Sequence, residues 1–195
     1  MGILIILVVF AAVLIMIVIN AYNRLVTLRN RYQNAYAQID VQLRRRYDLI
    51  PNLVETVKGY MKHERETLEA VIQARNSAMS ASRQAAQAPG DPQAMAQLGA
   101  AEAALGGTLG KLFALSEAYP DLKAEKSMSE LSEELRSTEN RISFARQAFN
   151  DGVTLYNTQR EVFPSSLIAN TFNFQAAQLL DIATPEMQNA PQISF

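Results

Sequence analysis

Residues 1–61 read MGILIILVVFAAVLIMIVI and then NAYNRLVTLRNRYQNAYAQIDVQLRRRYDLIPNLVETVKGYM. The first nineteen residues carry no charge. At 1.5 Å per residue, about 17–20 such residues match the roughly 30 Å hydrocarbon core of a bilayer. Beyond Ile19 the chain is polar but regularly punctuated. Leu25, Leu28, Tyr32, Ile39, Leu43, Tyr47, Ile50, Val54, Val57 and Met61 recur at spacings of three and four, with one of seven. That is the period of an amphipathic helix. The stretch therefore predicts a transmembrane helix leading into a long helix of a helical body.

A secretory signal peptide has a basic start, an apolar stretch of about 7–15 residues and a small-residue cleavage site. This run has no Lys or Arg before it, is longer, and exits into Asn20-Ala21-Tyr22-Asn23. A buried core helix would seldom be apolar all round for that length. A retained anchor over residues 1–20 is the expectation. Arg24, Arg29, Arg31 and the triplet Arg44-Arg45-Arg46 come after it, and the first acid is Asp40. The positive-inside rule then puts the body in the cytoplasm and the N-terminus outside.

The whole sequence has 195 residues, with 18 Lys and Arg against 19 Asp and Glu, a net charge of −1. One domain plus an anchor fits that length. No single-sign field points to nucleic acid. Cysteine is absent and His63 is the only histidine, so thiolate chemistry is excluded and a zinc or iron site lacks its usual ligands. Lys62-His63-Glu64-Arg65-Glu66-Thr67 is not an H-E-x-x-H motif. Gly106-Gly107-Thr108-Leu109-Gly110-Lys111 lacks the P-loop spacing. No cofactor and no catalytic residue is expected.

Leu68, Ile72 and Arg75 continue the first helical series, which passes Pro51 without a change of phase. Pro51 has no N–H and crowds the carbonyl of Tyr47. One long helix kinked at Pro51 is favoured over two helices with a corner at Asp48–Pro51. Gln84–Pro92 is the clear break, with Pro89-Gly90 as a turn and Asp91-Pro92 as a helix start. A second helix then shows Met95, Leu98, Leu105, Leu109 and Leu112 on one face and ends near Ala118. Gly106, Gly107 and Gly110 each cost it about 1 kcal/mol relative to Ala. Close approach of a neighbouring helix explains them better than flexibility does.

Tyr119-Pro120-Asp121 stops that helix, and Ser127-Met128-Ser129-Glu130 has the form of a capping box that opens the next. Met128, Leu135, Ile142, Phe149, Tyr156 and Phe163 then fall seven apart, with Leu131, Thr138 and Ala145 as partner positions. This is a coiled-coil-like seam of about five heptads, closed by Pro164. Residues 165–182 suggest a small helix packed back on the bundle. Residues 183–195, with Pro185 and Pro191, suggest a loose tail.

Amides are unusually placed. Asn23 and Asn30 are one heptad apart, as are Asn150 and Asn157. Asn in a seam tends to fix register or oligomeric state at a cost in stability. With Arg29, Gln38, Asp40, Asn140 and Arg146 they are candidates for a polar network between helices or subunits; the plainer alternative is that they face water. Gln42 belongs to the same set. The Arg44–Arg46 triplet lies about 25 residues beyond the anchor, nearly 40 Å along a helix. A solvated or salt-bridged face suits it better than lipid headgroups.

Tyr22–Tyr60 (YNRLVTLRNRYQNAYAQIDVQLRRRYDLIPNLVETVKGY), Tyr119–Ala124 (YPDLKA) and Leu135–Tyr156 (LRSTENRISFARQAFNDGVTLY) closely resemble the bacterial LemA family, in that order. The resemblance runs to Pro164 and weakens after it, where Phe172-Asn173-Phe174 stands in place of F-G-F. It implies an all-α protein: an N-terminal transmembrane helix in the bacterial inner membrane, N-outside, then a cytoplasmic four-helix up-and-down bundle over residues 21–182. It carries over no catalytic residue. A relative that takes part in magnetosome membrane formation turns the expectation toward membrane organisation. The expected function is a membrane-anchored, self-associating scaffold touching lipid and other copies of itself. The alternative is a monomeric adaptor docking another membrane protein, such as a protease or envelope-stress component.

Overall fold

The computed structural model describes residues 1–61 and 63–182. The predicted tail, 183–195, lies outside the described residues. Among the described residues six helices run in order: α1 (Gly2–Lys58), α2 (Arg65–Gln87), α3 (Pro92–Ser116), α4 (Pro120–Lys123), α5 (Lys126–Glu161) and α6 (Ser165–Thr171). No strand occurs among them. α1, α2, α3 and α5 form an up-and-down bundle in which α1 packs against both α2 and α5, and α2 against α3.

α1 is one helix of 57 residues, with Pro51 inside it. The apolar run and the first helix of the bundle are therefore a single element, about 85 Å long. The apolar run is the one helical stretch among the described residues long and apolar enough to cross a membrane, with a mean hydropathy of 3.5 and no part of that window buried. From Ala21 onward the helix enters the core. Leu25, Ile39, Leu43, Ile50, Leu53 and Val57 are fully buried, and Tyr32, Tyr36 and Tyr47 nearly so. Burial of each such aliphatic side chain stabilises the fold by about 1.5–3 kcal/mol.

The first helical series does not run on to Arg75 as one element. The chain turns back between Lys58 and Arg65, so Leu68, Ile72 and Arg75 belong to the returning α2. Gly59, with the lowest helix propensity apart from proline, marks the place. The phase carries across because Leu68 and Val71 face the same core from the other side.

α3 begins as expected. Asp91 is its N-cap, accepting from the amide of Ala94 at 2.8 Å, and Pro92 occupies the first turn. α5 does not begin at the Ser127 capping box. Glu125 is the N-cap, its carbonyl taking the first helical bond from Ser129, and Ser127 already lies inside the helix. The heptad seam is buried at Met128, Leu135, Ile142, Phe149 and Tyr156, but Phe163 is 80% exposed. The seam faces α1: the Phe149 ring packs edge-on to Tyr32 and Tyr36, with centroids 6.0 and 5.6 Å apart. The expected small helix of residues 165–182 is only partly present. α6 ends at Thr171, and no helix is assigned from Asn173 to Ile182.

Candidate functional site

The non-helical segment after α6 forms a strap along α5. Asn157 donates to the carbonyl of Ala177 at 2.8 Å and accepts from its amide at 3.0 Å. Asn150 does the same at Leu180, at 3.1 and 2.9 Å. Seven residues of helix span about 10.5 Å and three of extended chain about 10 Å, so the two amides match the strap's backbone in register. Arg160 donates to the Phe174 carbonyl, Tyr156 to that of Gln175 and Arg146 to that of Ile182. On its other side the strap meets the α2–α3 turn, where the Gln178 amide donates to the Gly90 carbonyl at 2.7 Å. Gly90 has φ +89°, and an added Cβ would lie 3.0 Å from that of Ala177. Gly99 on α3 abuts the Asp181 carbonyl.

A second polar group sits inside the bundle. Arg46, whose side chain is 8% exposed, pairs with buried Glu102 on α3 and with Glu139 on α5, each at 3.0 Å. The Tyr47 hydroxyl donates to the other oxygen of Glu102. Burial pushes the Glu102 carboxyl above its ordinary range, and Glu139 adds to this. Arg46 and Tyr47 oppose it without cancelling it. Burial and the neighbouring carboxylate also raise the Tyr47 phenol, which stays a donor. Three helices are thus tied at one level by one guanidinium.

The expected polar residues fall into several distinct settings. Asn150, Asn157 and Arg146 hold the strap, an arrangement within one chain. Asp40 pairs with Arg44 at 2.7 Å and accepts from Ser82 on α2, joining α1 to α2. The Arg29 guanidinium lies 5.3 Å from the centre of the Phe174 ring, a cation–π contact at the start of the strap. Asn23, Asn30, Gln38 and Asn140 are exposed, with no side-chain hydrogen bond among the described residues. The Gln42 carbonyl oxygen is buried and has no hydrogen-bond partner among the described residues. Arg45 pairs with Glu134, so the arginine triplet is salt-bridged.

The glycines expected at a close helix contact are open within the chain. Among the described residues nothing lies within 4 Å of a Cβ added at Gly107 or Gly110, and at Gly106 only the Arg46 guanidinium comes to 4.0 Å. The tight approach falls at Gly152 on α5, where a Cβ would stand 3.1 Å from Tyr32 Cβ. Gly106 and Gly110 instead line an open groove of about 480 Å³ between α3 and α5, with Leu109, Phe113 and Leu135. A second open cleft, about 690 Å³, lies where α1 turns into α2, among Val54, Met61, Leu68 and Ile72. His63 sits in that turn. Among the described residues no group of three or more His, Cys, Asp or Glu is placed to hold a metal.

A family model described as the LemA family matches residues 35–195. Protein LemA of Metamycoplasma hominis is 27% identical over 175 residues, covering 86% of this chain and 75% of its own. Magnetosome protein MamQ 1 of Paramagnetospirillum magneticum and magnetosome protein MamQ of Magnetospirillum gryphiswaldense are each 23% identical over 172 residues, covering 80% of this chain. This chain spans 63% of the length of those two relatives.

Proposed function

The chain belongs to the LemA family, and on that footing we propose that it is a membrane-anchored, self-associating helical scaffold that organises a membrane or a set of membrane proteins, without catalysis. The observation that carries this is the continuity of α1 from the apolar run into the bundle core. Copies anchored in one bilayer stand in one orientation, each raising residues 21–58 about 57 Å above it. Confinement to a surface raises effective concentration, so weak lateral contacts suffice. The heptad seam of α5 is spent inside the chain, so those contacts belong to outward faces. Phe144, 74% exposed on α5, is the most prominent apolar side chain there. The arginines that precede the first acid support a bundle on the cytoplasmic side of the bacterial inner membrane, with the N-terminus outside. Relatives named as magnetosome proteins support a membrane-organising role.

The test is the mass and shape of the full-length protein in mild detergent, by mass photometry and negative-stain imaging. Discrete large particles that shrink with Phe144→Glu bear the scaffold out. A single 21.6 kDa protomer in its micelle defeats it. The adaptor reading then takes its place, favoured by the cleft whose apolar floor of Val54, Met61, Leu68 and Ile72 is rimmed by Glu55, Lys58, Arg65 and Glu69, at the end of the bundle far from the membrane.

A further inference from the structure

We infer that the α5–α6 corner is a second membrane contact: Phe163, Leu167 and Phe172, with Val162, insert into the lipid interface beside the transmembrane part of α1. This rests on the anchor reading of the apolar run and adds to it.

The first support is level. α1 and α5 run antiparallel, and Gly152 of α5 lies against Tyr32 of α1. Ten residues back along α1 is Tyr22, and ten on along α5 is Val162, each about 15 Å away in the same direction. Val162 and Phe163 therefore stand level with Tyr22 and Ala21, immediately past the apolar run. The rings agree, since Phe172 and Phe174 pack edge-on to Tyr22 with centroids 5.0 and 5.5 Å apart. Tyr22 is placed as an interfacial tyrosine should be.

The second support is the sidedness of α6. Its inner face is Ser165 and Ala169, 3% and 1% exposed. Its exposed side chains are Leu167 at 58%, Asn170 and Thr171, and it is flanked by Phe163 at 80% and Phe172 at 53%. Phe163, Leu167 and Phe172 give the corner an exposed apolar edge of the kind suited to a hydrocarbon boundary, where an apolar face sinks about 5–10 Å into the headgroup region.

The third support is charge. From Val162 to Leu180 no residue is charged, whereas α2 and α5 carry charges along their outward faces. The occupant is the bilayer already entered by α1, because the patch is continuous with the emerging helix and lies at its level. A second protein covering the patch would have to share that space with headgroups.

The chain has no tryptophan, so single tryptophans report without background. Full-length Phe163→Trp, Phe10→Trp and Phe144→Trp proteins are reconstituted in phosphatidylcholine–phosphatidylglycerol vesicles with lipids brominated at shallow or deep acyl positions. All three sites are exposed, so folding tolerates the change. The expected result is strong quenching of Phe163→Trp by the shallow label, deep quenching of Phe10→Trp, and little quenching of Phe144→Trp. If Phe10→Trp is quenched and Phe163→Trp behaves like Phe144→Trp, the second contact is overturned and the anchor stands. A blue-shifted but unquenched Phe163→Trp overturns it in favour of a covering protein. If Phe10→Trp is unquenched too, the anchor reading falls and the second contact with it.

Discussion

Arg75 on α2 donates through Nε to the main-chain carbonyl of Tyr47 on α1, 2.9 Å away. That carbonyl is the acceptor which Pro51, having no N–H, leaves without its helical donor. α1 passes Pro51 unbroken with the vacancy filled from a neighbouring helix. Losing the donor strands a carbonyl at a residue only 1% exposed, at a cost of about 1–3 kcal/mol. Arg75→Met should therefore lower the unfolding midpoint of the detergent-solubilised protein. In a Pro51→Ala background the helix supplies its own donor, and the same change should cost about 1 kcal/mol less. Equal costs in the two backgrounds would refute the link.

Asn150→Leu and Asn157→Leu should each loosen the strap, removing two hydrogen bonds apiece, for about 1–2 kcal/mol each. Hydrogen exchange by mass spectrometry reads this locally. Protection over residues 174–182 should fall in both variants while the middle of α1 keeps its own. Unchanged exchange there means that the amides do not hold the strap.

The glycines give predictions of opposite sign. Gly152→Ala drives a methyl into Tyr32 and should destabilise by about 1–3 kcal/mol. Gly107→Ala meets nothing among the described residues and should stabilise the protomer by up to about 1 kcal/mol through helix propensity. Thermal midpoints of the two variants, measured side by side, decide it. A destabilised Gly107→Ala would mean that this face is covered in the assembled protein.

Glu102 sets a pH dependence. Its carboxyl is raised in the folded protein, chiefly by burial, from a reference of 4.5. The native state then holds a proton that the unfolded chain has released, so this site's contribution is complete below 4.5 and declines as pH rises through the native value. Glu102→Gln cannot ionise. Its stability relative to wild type should climb as pH is raised from 4.5. Parallel stability curves for the two proteins would rule out a raised native value.

Most of the bundle was legible because burial follows helical period. The α3 face Met95, Leu98, Leu105, Leu109, Leu112 has one step of seven, and Glu102 fills it. Arg46 likewise stands seven residues after Ile39, on the buried phase of α1. A charged residue in phase with an apolar face was the available sign of the interior ion cluster. The turn after Lys58 was obscured because both flanking helices face one core. The strap was out of reach of periodicity: its amides face a segment without helical structure, and only the pairing of seven residues on a helix with three on an extended chain gives the match meaning. The open face at Gly107 and Gly110 depends on which helices pack as neighbours, which spacing along one helix does not encode.

The unbroken α1 also makes the protein a lever. Transmembrane helices tilt to match the thickness of the bilayer around them. A helix with a hinge at the surface would absorb that tilt locally, but α1 crosses the level of Tyr22 without a break and is fastened to α5 and α2 above it. A tilt of about 10° in the bilayer would sweep the far end of the bundle sideways by about 10 Å, given the roughly 57 Å that residues 21–58 span. On the anchor reading, the cleft beside Val54 and Met61 rides at the tip of that arm, and a change in membrane thickness at one end would appear as displacement at the other.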